Sequence, residues 1–191
     1  MKLHLARSKG FTLIELMVTI AIAAILMVVA VPSLVTYQRN SEMTSFANTM
    51  LASINAARAE AMKRGRYAMV VPVDGVAWAS GWVVFVDVDR SGTYNAGDIP
   101  VQTREAPPTF LTVSGSGVAN EAAPYIMFDP SGYAAKKSAS LVPNLRLTIA
   151  RNDVPAADVP EQTRRLVIAI TGRARVCKPA VDATCTTSAA Q

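Results

Sequence analysis

Lys9-Gly10-Phe11-Thr12-Leu13-Ile14-Glu15-Leu16 opens the longest apolar run in the chain, and Glu15 sits just inside it. From Phe11 to Val35 no other side chain ionises. As a helix at 1.5 Å rise per residue this run would be about 37 Å long, enough to cross a bilayer core. A lone acid at that depth costs on the order of a few kcal/mol, so it is rare without a partner and is by default a functional clue.

The flanks set the orientation. Lys2, Arg7 and Lys9 precede the run and no acid does, which holds Met1 to Gly10 on the cytoplasmic side while the remainder is exported. The run is too long for a secretory signal and lacks a small-residue cleavage site at its far end. The residues alone therefore read as a retained anchor and leave Glu15 unexplained.

Gly10-Phe11-Thr12-Leu13-Ile14-Glu15 followed by an apolar helix resembles the class III signal of type IV pilins and type II secretion pseudopilins. The resemblance implies that a prepilin peptidase cuts after Gly10 and methylates the new amino terminus of Phe11. It also implies that Glu15 pairs with the Phe11 ammonium of a neighbouring subunit during assembly. Two charges that are each expensive in lipid attract strongly there, which fixes the register between subunits.

Without its ten-residue leader the chain keeps 181 residues, one membrane helix and enough sequence for one modest globular domain. Loss of three basic leader residues takes the formal charge from +5 to +2, so the pI of 9.5 is partly a property of the leader. What remains basic is concentrated late: Ser131 to Gln191 holds nine Lys and Arg against four acids.

Beyond the apolar run, Met43, Phe46, Met50, Ile54, Ala57 and Ala61 recur at helical spacing and predict an amphipathic continuation over 37–64, ended by Gly65. Pro32, which lacks the N–H and crowds the carbonyl of Val28, predicts a kink. From Gly65 onward, short β-rich runs are expected at Tyr67–Val73, Gly81–Val86, Ile99–Thr103, Phe110–Val113, Tyr125–Phe128, Leu145–Ala150 and Arg165–Thr171. Asp74-Gly75, Ser91-Gly92, Asn95-Ala96-Gly97 and Pro130-Ser131-Gly132 supply turns between them. Asn152–Gln162 reads as a loop and Thr184–Gln191 as a frayed tail. The fold class is α+β: a long N-terminal helix, transmembrane over 11–36 and then amphipathic, packed on an antiparallel β domain over 65–191. The family resemblance implies the lollipop-shaped pilin subunit with its β domain in the periplasm.

Chemistry is sparse. The single histidine, His4, lies in the leader, which removes the usual general base and most zinc sites from the mature protein. No paired-carboxylate or phosphate-cradling glycine signature replaces it, so neither catalysis nor a cofactor is expected. Cys177 and Cys185 read first as a disulfide in an oxidising compartment. A redox or metal role is the weaker alternative, since two thiolates make half a zinc site. Asp87, Asp89, Ser91, Gly92 and Asp98 match the ligand spacing of a calcium loop. The run before them, however, reads as a strand, and a turn-rich hairpin connection accounts for the same residues.

If strand periodicity continues from Arg165 through Cys177, Leu166, Ile168, Ile170, Ala174 and Val176 face the core. Arg173 and Arg175 then share the wet face about 6.7 Å apart. Such a pair could hold adjacent backbone phosphates, or simply be a solvated strand face.

Helix, β domain with a Trp-Val-Val-Phe-Val-Asp strand, and late Gly-Arg-x-Arg together resemble the GspH/FimT group of minor pilins. In its FimT branch the Gly-Arg-x-Arg motif is implicated in DNA capture during natural transformation. Gly172, Arg173 and Arg175 match that motif, with Arg164, Arg165 and Lys178 as auxiliaries. The implied partners are other major and minor pilins, the prepilin peptidase, the inner membrane and DNA. The alternative is a type II secretion pseudopilin with a purely structural role; a third reading, an anchored calcium-binding adhesion module, depends on the Asp87–Asp98 loop.

Overall fold

The computed structural model describes residues 10–138, 140 and 145–185. Residues 1–9, including His4, and 186–191 lie outside them. The chain divides into two compact units, residues 1–41 and 42–191, each taken by itself.

In the first unit, helix α1 (Leu13–Arg64) begins after Thr12, whose hydroxyl accepts the Glu15 N–H at 3.3 Å. Thr12 is thus an N-cap with Glu15 at the third helical position. Large apolar side chains such as Leu13, Ile14, Ile20, Leu26 and Leu34 are all exposed. Among the described residues no single helix is long and apolar enough to cross a membrane. Leu13–Val28 and Ser33–Arg64 meet that requirement together, by length and composition, and are bent by 40° at the break between them. The break holds Pro32, which has no N–H for the helical ladder.

The second unit contains the rest of α1 and the β domain. Met43, Ala47, Met50, Ile54, Ala57 and Ala61 are fully buried, while Phe46 is half-buried with its ring edge-on to Trp82 at 5.4 Å between centroids. The helix stops where Gly65 enters the left-handed region at φ 62° and the Arg66 N–H bonds the Ala61 carbonyl at 3.2 Å, a Schellman closure.

Two antiparallel sheets share the core with the helix. One runs in the order β3 (Ile99–Arg104), β2 (Trp82–Asp87), β1 (Tyr67–Pro72), β5 (Ile126–Phe128), β6 (Ala134–Ala135). The other runs β4 (Leu111–Gly115), β7 (Leu145–Arg151), β8 (Thr163–Ile168), β9 (Ala174–Cys177). All six residues of β2 are buried, whereas β7 alternates strictly, with Leu145, Leu147, Ile149 and Arg151 inward. The buried Trp78 indole donates to the Ala119 carbonyl at 2.9 Å and ties two short 3-10 turns together.

Candidate functional site

The C-terminal hairpin departs from the sequence expectation. No single strand runs from Arg165 to Cys177. The chain reverses between β8 and β9, where Gly172 donates to the Ala169 carbonyl at 2.8 Å and Ala169 to the Arg173 carbonyl at 2.9 Å. Gly172 takes φ 78°, the left-handed residue that a three-residue hairpin loop requires. Ile170, expected in the core, is therefore exposed, while Ala174 and Val176 do pack against it.

Pro130-Ser131-Gly132 forms the same kind of turn between β5 and β6, with Gly132 at φ 81°. The two turns nest. A Cβ on Gly172 would stand 1.9 Å from the Gly132 carbonyl oxygen and 2.8 Å from Arg58 Nε. Arg58, on α1, donates through Nε to the Gly132 carbonyl at 2.9 Å and through Nη2 to the Thr171 carbonyl at 3.1 Å. Gly172 is thus buried by internal packing against Gly132 and Arg58.

The arginines divide by environment. Arg173 is exposed at the end of the turn, with no ion pair among the described residues. Arg175 lies on β9 opposite Val167, and its fork is occupied: Nη1 bonds Asp182 at 2.9 Å, and Nη2 bonds the Thr184 carbonyl and hydroxyl at 2.8 and 2.9 Å. Arg165 donates to the Cys185 carbonyl at 2.9 Å. Arg164 is half-buried and bonds the Thr163 carbonyl at 3.0 Å, and burial pulls its guanidinium below the usual range. Lys178 is paired with Glu161.

Cys177 and Cys185 form a disulfide. The loop it closes lies on the outer face of β8, where Val167, Cys177 and Cys185 make a small apolar cluster of their own. Asp182 is held below the usual carboxylate range, first by Thr184 and then by Arg175.

The calcium-spaced loop is fully engaged internally. Asp87, Asp89 and Asp98 come within 4.8 Å of one another. Asp87 accepts the Ser91 and Gly92 amides at 3.1 and 2.9 Å, and Asp98 accepts those of Val88 and Asn95, both at 3.0 Å. Ser91 turns its hydroxyl to the Thr93 carbonyl. The loop follows strand β2, so the helical flank of an EF-hand is missing, as the apolar run Trp82–Val86 suggests.

What the sequence reading missed is Arg58 and the Thr12 cap. Arg58 carries no local signal, because its partners lie 74 and 113 residues away. Thr12-x-x-Glu15 is a legible capping spacing that the membrane argument overshadowed.

Helix, paired antiparallel sheets and apolar N-terminus define a pilin-type protein. The chain belongs to the GspH family: it matches the profile described as Type II transport protein GspH over residues 47–172. The Prokaryotic N-terminal methylation motif matches residues 5–31. A type IV major pilin protein PilA from Myxococcus xanthus is 30% identical over 105 residues, 53% of this chain and 48% of that protein, so the match spans about half of either. The minor pilin FimU of Pseudomonas aeruginosa is similar in fold with TM-score 0.53 at 19% identity, covering 74% of this chain and 92% of that one. In a second crystal form it scores 0.52, covering 70% and 91%.

Proposed function

We propose that the chain is a minor type IV pilin, cut between Gly10 and Phe11, methylated at Phe11, and held in the inner membrane by the apolar half of α1 until it joins a filament. The observation that carries this reading is the exposure of every large apolar side chain described between Phe11 and Val35 around a single carboxylate, Glu15. In lipid that carboxylate needs a cation, and the Phe11 ammonium of a neighbour supplies one. Replacing Glu15 by Ala and counting the subunit in sheared surface fibres tests it: incorporation should collapse, and undiminished incorporation would refute the assembly role.

A second element of the proposal is DNA contact through Arg173. Its support is the exposed, unpaired guanidinium on a turn held rigid by Arg58 and Gly132. Arg175 can join only by exchanging Asp182 for a phosphate. Binding of this kind is electrostatic and falls with salt. A gel shift of the full mature chain in non-ionic detergent should retard duplex DNA at low salt, and Arg173→Gln should weaken it. No retardation of duplex by the wild type leaves the purely structural secretion-pseudopilin role, which the family profile supports equally.

A further inference from the structure

Where α1 hands over to β1, Arg64, Arg66, Tyr67, Val88 and Arg90 line a cleft of about 270 Å³ that nothing above uses. Arg66 spends one donor on the Val88 carbonyl, at 3.1 Å. The Arg90 guanidinium carbon lies over the Tyr67 ring, 4.8 Å from its centroid. Among the described residues neither is ion-paired, and both are exposed. Arg64 shares Glu60 with Lys63.

Two features mark the cleft as built. Arg90, at φ 61°, is the one non-glycine among the described residues in the left-handed region. Such strain persists only where the surroundings hold it, and it clusters at functional sites; here the stack on Tyr67 is what it achieves. The inner wall holds Asp87, whose oxygens accept the Ser91 and Gly92 amides, so its acceptor sites are directed to its own loop.

We propose that this cleft seats a phosphate group through Arg66 and Arg90, assisted by Arg64. Planar forks grip phosphate bidentately, and a stacked guanidinium is already oriented for it. Phosphate presents tetrahedrally spread oxygens, free or in a diester, so more than one of the arginines that line the cleft can engage it at once. The source is either free phosphate or the backbone of DNA. The second source rests on the DNA reading above, and Arg64, at the end of α1, follows Arg58, which supports the Arg173 turn, by about 9 Å of helical rise.

The test uses the full mature chain in non-ionic detergent, with Arg66→Gln, Arg90→Gln, Arg173→Gln and, as an exposed control outside the cleft, Arg104→Gln. Inorganic phosphate is followed by line broadening in phosphorus NMR and a short duplex by anisotropy across a salt series. Arg66→Gln and Arg90→Gln should each abolish the broadening. Each should also weaken duplex binding about tenfold at low salt and lower the salt slope by about 1, while Arg104→Gln stays within about twofold. If Arg66→Gln and Arg90→Gln match the control in both assays, the seat is refuted, and a duplex loss confined to Arg173→Gln would then leave the DNA reading standing. Phosphate broadening that needs Arg66 and Arg90, without any duplex binding, supports the seat as a free-phosphate site and refutes the DNA reading.

Discussion

Gly172 rests against the carbonyl of Gly132, so close that a methyl group at Gly172 would stand 1.9 Å from that oxygen. Gly75 also has a positive φ, 74°, but nothing lies within 4 Å of its missing Cβ. Gly75→Ala should therefore cost about 1 kcal/mol, the conformational penalty alone. Gly172→Ala must add displacement of backbone and should cost about 3 kcal/mol or more. Chemical denaturation of the two variants under one condition measures the contrast, and equal losses would remove the packing argument.

Arg58 serves two turns with one guanidinium. Arg58→Met keeps the aliphatic stem and leaves the Gly132 and Thr171 carbonyls without their partner, at a cost of about 2 kcal/mol. Amide exchange at Gly132 and Gly172 should accelerate more than at β2, since the loss is local to the turns.

Cys177 and Cys185 are separated by 8 in sequence, a loop for which chain entropy gives roughly 2.5 kcal/mol. The double Ser variant should melt lower by an amount of that order. It should also become sensitive to proteolysis between Lys178 and Thr184, because the loop then depends on polar contacts such as those of Arg165, Arg175 and Lys178.

Acid should loosen the same loop. The Asp182 carboxyl titrates below its ordinary 3.8, so its contribution is fully present above that value and fades as the pH falls through the lower, folded-state pKa. The difference in melting temperature between wild type and Asp182→Asn should be constant near neutrality and shrink below about pH 4. A difference that persists unchanged into strong acid would show that the Arg175 contact does not stabilise the loop.

Much of the fold was legible because its signals are local. The stripe from Met43 to Ala61 and the turn at Gly132 follow from spacing and turn chemistry within a few residues. The strand expected over Arg165–Thr171 does not continue through Gly172, because that glycine takes a positive φ and closes a turn back to Ala169. The two-residue β6 is too short to leave a periodic trace. At the hairpin, sequence named the arginines but not their partners: Asp182 and Thr184 are ordinary loop residues until the Cys177–Cys185 bond folds them over β9.

The nested turns alter what the letters Gly-Arg-x-Arg convey. Its glycine answers to a carbonyl on another hairpin and its last arginine to an aspartate seven residues downstream, so a relative could keep both for architecture while abandoning any ligand. Of the three, only the Arg173 side chain is left without such a tie among the described residues.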